Sequence, residues 1–163
     1  RAVDDPAPDG PGRSAALVRA RFGDRRCRFV SGPVLFSVGN AGVLVTTVIL
    51  VKRGEARTFA VVDAAMNDLI RPTLYEAHHE IVAVRETPDS PHRATTVTGP
   101  LCTPLDILAR AAPLPELRAG DLVAVLQSGA YGRSASPNGF LSHPLPAEIL
   151  IDAGTAVRIG PGG

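Results

Sequence analysis

From residue 38 onward the apolar positions fall in short runs, at residues 43–51, 58–63, 79–85, 95–99, 122–128, 148–152 and 156–159. They are rich in Val, Ile, Leu and Thr and closed by Gly, Pro or Asp. Branched side chains crowd the preceding turn of a helix but fit a pleated surface, so each run predicts a strand. Several short strands with turn signals between them predict a barrel or sandwich. The longest run, residues 43–51, is interrupted by Thr46 and Thr47 and stopped by Lys52 and Arg53. It is far shorter than the ~20 residues of a spanning helix and predicts a buried strand. Between residues 114 and 123, Gly120 supplies a positive φ and Asp121 can bond its own backbone two residues on, which predicts a turn feeding a strand.

Three stretches read as short helices. Ser14 caps an amphipathic segment carrying Ala15, Leu17, Val18 and Phe22, with Gly23 as its stop. A second covers residues 68–74. A third covers residues 104–111, with Pro104 at the favoured first-turn position. Residues 28–30 read as a short strand. Residues 1–14 are rich in Pro, Gly and Asp without apolar periodicity, cannot offset their ordering entropy by burial, and are expected to be disordered. Residues 87–93, with two prolines, predict a surface loop.

The chain has 163 residues, 45% of them hydrophobic, enough for one domain with a sizeable core. A formal charge of +1 does not attract a polyanion in bulk, so no nucleic-acid partner is expected, and the arginines at 19, 21, 25, 26 and 28 read as a solvated face. Cys27 and Cys102 form neither a disulfide framework nor a metal-ligand spacing, which fits a reducing, cytoplasmic setting. No membrane span and no secretory signal are read, and a start at Arg1 rather than Met suggests a fragment or processed product.

Three segments concentrate candidate chemistry. Cys102 lies in Gly-Pro-Leu-Cys-Thr-Pro-Leu-Asp at residues 99–106, just before the expected third helix. Free N–H groups at a helix start lower a thiol's pKa, although a lone cysteine is also commonly a small buried hydrophobe. Arg71 and Tyr75 lie four apart, hence on one helical face, and a guanidinium fork matches a carboxylate bidentately; the plainer alternative is a surface arginine and a packed tyrosine. Tyr131, between Ala130 and Gly132 at the end of an apolar run, can project from an uncrowded backbone. His78 and His79 are adjacent, would face opposite ways on a strand, and do not predict a joint metal site.

Taken in order, Asp-Ala-Ala-Met-Asn-Asp-Leu-Ile-Arg-Pro-Thr-Leu-Tyr at 63–75, the Cys102 segment and Ser-Gly-Ala-Tyr-Gly at 128–132 resemble the C-terminal domain of the diaminopimelate decarboxylases. These belong to the fold-type III pyridoxal-phosphate enzymes that decarboxylate ornithine, lysine, arginine and diaminopimelate. The resemblance spans about residues 22–152. It implies a mainly β fold, a Greek-key-like barrel of the alanine racemase and decarboxylase C-terminal type with two or three short helices. Residues 1–14 would be a disordered segment, 15–36 the remnant of an α/β barrel's end, and 37–160 the β-barrel domain.

The resemblance also implies roles. Cys102 would reach the neighbouring subunit's site and protonate the α-carbon after carbon dioxide leaves, so a homodimer is implied. Arg71 and Tyr75 would bind the amino-acid substrate, and Tyr131 would lie beside pyridoxal phosphate. Thr103 stands where the family carries a glutamate that helps hold the distal amino end of diaminopimelate, placing a neutral hydroxyl where a charge would meet an ammonium group. The form Cys-Thr-Pro-Leu-Asp resembles a subgroup linked to secondary metabolism or polysaccharide gene clusters, some members acting on carrier-bound amino acids.

Gly-Pro-Val-Leu at 32–35 replaces the family's Glu-Pro-Gly-Arg, so no phosphate contact is expected there. Lys52, the sole lysine, has no motif around it. In the family the cofactor lysine belongs to an N-terminal α/β barrel, which also supplies a partner domain. Three readings follow: the C-terminal domain of a decarboxylase, inactive alone; a non-catalytic remnant or regulatory partner of an intact decarboxylase; or a free-standing β-barrel binding module.

Overall fold

The computed structural model describes residues 10–23, 34–85 and 89–160. The chain divides into two compact units, residues 1–32 and 33–163. In the first, helix α1 spans Gly10–Phe22. It starts four residues ahead of Ser14, so residues 10–14 are helical where disorder was expected; Pro11 fits a first turn, where its missing N–H would have no helical partner anyway. At the other end the Gly23 N–H donates to the Arg19 carbonyl at 2.8 Å, where a Cβ on residue 23 would lie 2.5 Å from that oxygen. The short strand read at 28–30, and Cys27, lie outside the described residues.

In the second unit helix α2 (Val34–Val38) and a 3-10 turn at Gly39–Ala41 lead into strand β1 (Leu44–Arg53). There follow β2 (Thr58–Val62), α3 (Arg71–Tyr75), β3 (Ile81–Ala83), β4 (Arg93–Thr98), β5 (Ile107–Leu114) and β6 (Leu122–Val125). Their sheet runs β3-β6-β1-β2-β4-β5, and the two edge strands β3 and β5 lie close together, so the sheet is nearly closed into a barrel. This is the mainly β fold class that the sequence leads one to expect. Strand β1 serves both halves: residues 44–47 pair with β6 and 48–53 with β2, with an irregularity between Val48 and Leu50 that lets the strand bend. Strands β2 and β4 are parallel, which requires a crossover, and that crossover carries α3 and β3.

The barrel interior is filled by Val48, Ala60, Val62, Leu69, Ile81, Val97, Leu108, Leu114, Val123 and Val125, all essentially inaccessible. Strand β5 replaces the helix expected at 104–111. Its Ile-Leu-Ala-Arg-Ala-Ala favours a helix by propensity, but only by tenths of a kcal/mol per residue. Burying Leu108, Ala112 and Leu114 while pairing Thr95 with Ala112 and Val97 with Ala109 outweighs that. Pro113 is accommodated because β5 is an edge of the hydrogen-bonded ladder.

Gly120 has the expected positive φ of 93°, but the Asp121 carboxylate turns back and accepts the Arg118 N–H at 2.7 Å. Strands β7 (Glu148–Asp152) and β8 (Thr155–Ile159) form a separate hairpin. Its turn residues Ala153 and Gly154 both have positive φ, as the tight turns that match strand twist require. No helix among the described residues is long and apolar enough to cross a membrane.

Candidate functional site

The stretch from β2 to α3 is built by backbone hydrogen bonds to short polar side chains. Asp63, just past β2, accepts the Thr47 N–H at 2.8 Å and the Thr46 hydroxyl, while Thr46 Oγ1 accepts the Ala64 N–H at 2.9 Å. Burial works to raise the Asp63 pKa, but the bonds from Thr46 and Thr47 outweigh it and hold the group below its ordinary value. Asp68 accepts the Ala65 N–H at 2.9 Å and closes the following turn, and burial pushes its pKa up. Leu69, fully buried, anchors the segment in the barrel core.

Helix α3 then covers Arg71–Tyr75, with Pro72 in its first turn and Glu76 at φ 52° ending it. It is later and shorter than the helix read at 68–74. Arg71 and Tyr75 sit one turn apart on it. Arg71 is half-buried and its Nη1 lies 3.4 Å from Nε2 of His79; Tyr75 is 65% exposed. His79 is buried, whereas His78 is exposed.

Cys102 is exposed, in a turn instead of at a helix start. With β5 where the third helix was expected, no helical N–H groups face the thiol, and that argument for its activation fails. The turn is held from below. Asp106, 1% exposed, accepts the Met66 N–H on Oδ1 at 2.8 Å and the Leu101 N–H on Oδ2 at 2.9 Å. Burial pushes the Asp106 carboxyl up, partly countered by the bonds from Leu101 and Met66. A Cβ at Gly99 would fall 2.3 Å from Asp106 Oδ2 and 2.7 Å from Ala65 Cα, so this close approach requires glycine. Half-buried Thr103 turns its hydroxyl into its own loop, accepting the Leu105 N–H at 3.3 Å. Asp106 carries no role in the sequence reading; a carboxylate between Leu105 and Ile107 at the end of the cysteine motif was the available signal.

Tyr131 lies not at a strand end but in a turn six residues beyond β6, at φ 57° and 49% exposed. The turn is seated on the 3-10 segment: Ser128 N–H donates to Gly42 O at 2.8 Å and Gly129 N–H to Gly39 O at 3.0 Å. A Cβ on residue 129 would come within 2.0 Å of the Val38 carbonyl oxygen. Ala130 and Gly132 are buried on either side, which leaves the phenol as the part of this turn that projects.

The three segments meet on the residues around α3. The Thr73 hydroxyl donates to Leu105 O at 2.9 Å and Met66 reaches Asp106, bracing the Cys102 turn. Ile70 N–H donates to Ser136 Oγ at 2.9 Å, and Ser136 Oγ to Gly132 O at 2.5 Å, bracing the Tyr131 turn. Lys52 is elsewhere: it is ten positions from Gly42, on which the Tyr131 turn rests, and β1 rises about 3.3 Å per residue. Helix α2 carries no charged residue. For a pyridoxal phosphate group these segments offer an exposed tyrosine, Tyr131, and neither a lysine nor a charged side chain on α2. No group of three or more metal-ligating side chains occurs among the described residues.

Residues 5–129 match the model of the pyridoxal-dependent decarboxylase C-terminal sheet domain. The chain is 36% identical over 156 residues to the diaminopimelate decarboxylase of Zymomonas mobilis, spanning 96% of itself and 36% of that relative's length. A crystal structure of an Aquifex aeolicus protein superposes with a TM-score of 0.81 at 34% identity, over 92% of this chain and 38% of that one. Diaminopimelate decarboxylase from Helicobacter pylori complexed with L-lysine gives 0.68 at 32% identity, over 76% of this chain and 30% of that one.

Proposed function

Because the chain belongs to the pyridoxal-dependent decarboxylases, as their C-terminal sheet domain, we propose that it forms that domain of an amino-acid α-decarboxylase. The enzyme is most like the one that converts meso-diaminopimelate to L-lysine and carbon dioxide. Residues 15–36 would end the N-terminal α/β barrel and 37–160 form the β-barrel domain, in a cytoplasmic homodimer. The observation that carries this reading is the bracing of the Cys102 and Tyr131 turns on the residues around α3.

Pyridoxal phosphate supplies the electron sink for loss of carbon dioxide, and its lysine comes from the N-terminal barrel. Within this chain Arg71 binds a substrate carboxylate, with Tyr75 one turn away offering a hydroxyl. Tyr131 lines the cofactor. Cys102 Sγ, on an exposed turn, serves the neighbouring subunit and returns a proton to the α-carbon that has lost its carboxylate. Thr103, its hydroxyl engaged with Leu105, offers no charge to a distal ammonium group. That favours an amino acid other than diaminopimelate, a carrier-bound one included, as the alternative substrate.

The test mixes this chain with a separately expressed N-terminal barrel of a relative and pyridoxal phosphate, and measures decarboxylation with native Cys102 and with Cys102→Ala. Activity that needs both pieces and falls at least about a hundredfold in the alanine variant supports the proposal. A confirmed complex without turnover of any amino acid would overturn it. The uncharged α2 and the remoteness of Lys52 favour a second reading, a non-catalytic partner of an intact decarboxylase. Capture of a full-length subunit without any change in its activity on Cys102→Ala substitution would support that one.

A further inference from the structure

His79 is buried, and both of its ring nitrogens are committed. Nδ1 lies 2.9 Å from the Leu126 carbonyl, and Nε2 lies 3.4 Å from Arg71 Nη1. A carbonyl only accepts, so Nδ1 carries the hydrogen; a guanidinium only donates, so Nε2 must offer its lone pair. The two neighbours together select one tautomer of the neutral ring. Leu126 directly follows β6 and leads into the Tyr131 turn, so the imidazole links that strand to α3.

We propose that His79 is a positioning residue for Arg71, taking one guanidinium N–H on Nε2 and leaving the remaining donors of the fork set for the substrate carboxylate. This rests on the reading of Arg71 given above. Protonation of the ring would set N–H against N–H and charge against charge. The charged and titratable groups facing the ring are Arg71 on α3 and His78 beside it, both cationic when charged; the segment just after β6 contributes the Leu126 carbonyl. Burial, countered by the Leu126 bond and reinforced by Arg71 and His78, holds the His79 pKa below 6.5, so the ring is neutral at pH 7. Arg71 is released as pH falls through that lowered pKa.

The experiment uses the chain reconstituted with a relative's N-terminal barrel, as above. With this chain alone carrying 15N, the ring should show hydrogen on Nδ1, and the Arg71 guanidinium shift should titrate with the His79 midpoint. In kinetics, His79→Leu should raise KM about tenfold with kcat within about twofold, roughly one hydrogen bond to a charged group. His79→Gln, which keeps an acceptor near Nε2, should recover most of that loss and abolish the acid-side rise in KM. Hydrogen on Nε2, a guanidinium shift indifferent to His79, or equal KM in the Leu variant and the native chain would each overturn the proposal. An unchanged KM in Arg71→Gln would instead overturn the carboxylate role of Arg71, and if reconstitution yields no turnover the tautomer and shift readouts still decide the contact.

Discussion

Asp106 accepts the Met66 backbone N–H at 2.8 Å across 40 residues of sequence, and this bond ties the Cys102 turn to the segment that carries Arg71 and Tyr75. The second carboxylate oxygen holds Leu101, so a single buried side chain satisfies two amides that no strand or helix serves. Asp106→Ala leaves both N–H groups unpaired away from water and should lower stability by about 3 kcal/mol in urea unfolding. Asp106→Asn keeps one acceptor oxygen and should lose about half as much. Equal losses would show that the fold does not depend on both bonds.

Backbone approach at Gly129 leaves no room for a side chain, because a Cβ there would overlap the Val38 carbonyl oxygen. Gly129→Ala should cost roughly 3 kcal/mol or prevent folding, through forced movement of the turn that bears Tyr131. Gly139→Ala is the control. No atom lies within 4 Å of a Cβ there and its φ of −93° is open to alanine, so stability should change by no more than about 0.5 kcal/mol. Thermal melts of the two variants distinguish local packing from a general loss of glycine.

Thr103 carries a neutral hydroxyl that accepts the Leu105 N–H at 3.3 Å, so the residue after the proposed proton donor presents no charge to substrate. In the reconstituted enzyme Thr103→Glu should lower KM for meso-diaminopimelate about tenfold relative to an amino acid lacking the second ammonium group, the worth of one charge-assisted hydrogen bond. An unchanged ratio would show that Thr103 does not face the distal end of substrate.

The Asp63 pKa is lowered in the folded chain, so its contribution to stability is full above 3.8 and fades as pH falls through the lowered value. Thr46→Val removes the hydroxyl bond to Asp63 and the acceptor for the Ala64 N–H. It should cost about 2 kcal/mol at pH 7, and the gap from the native chain should narrow below the ordinary carboxylate value of 3.8. A gap independent of pH would place the whole effect on Ala64.

Local pattern was enough for β1, β2, β4 and the β7–β8 hairpin, because branched residues bounded by Gly, Pro and Asp are a signal carried by adjacent positions. It was also enough to single out Cys102, Arg71, Tyr75 and Tyr131 as candidates, since each stands in a run of unusual residues. It misled at residues 104–111, where alanines speak for a helix and the competing pairing with β4 is not written locally. It was silent on Asp106 and on the partners of His79, because both bond to backbone or side chains from distant segments.

The amino-acid sequence by itself determined the strand-rich character of the chain, the tight turn at Gly120 and the family to which its three motifs point. These depend on φ preferences, side-chain branching and order along the chain, all properties of neighbours in sequence. Only the tertiary structure decided that residue 107 begins a strand, that Asp106 and Thr73 brace the Cys102 turn, and that Arg71 lies beside the buried His79. Those outcomes turn on which buried polar groups find partners once the barrel nearly closes, and such partners lie tens of residues apart.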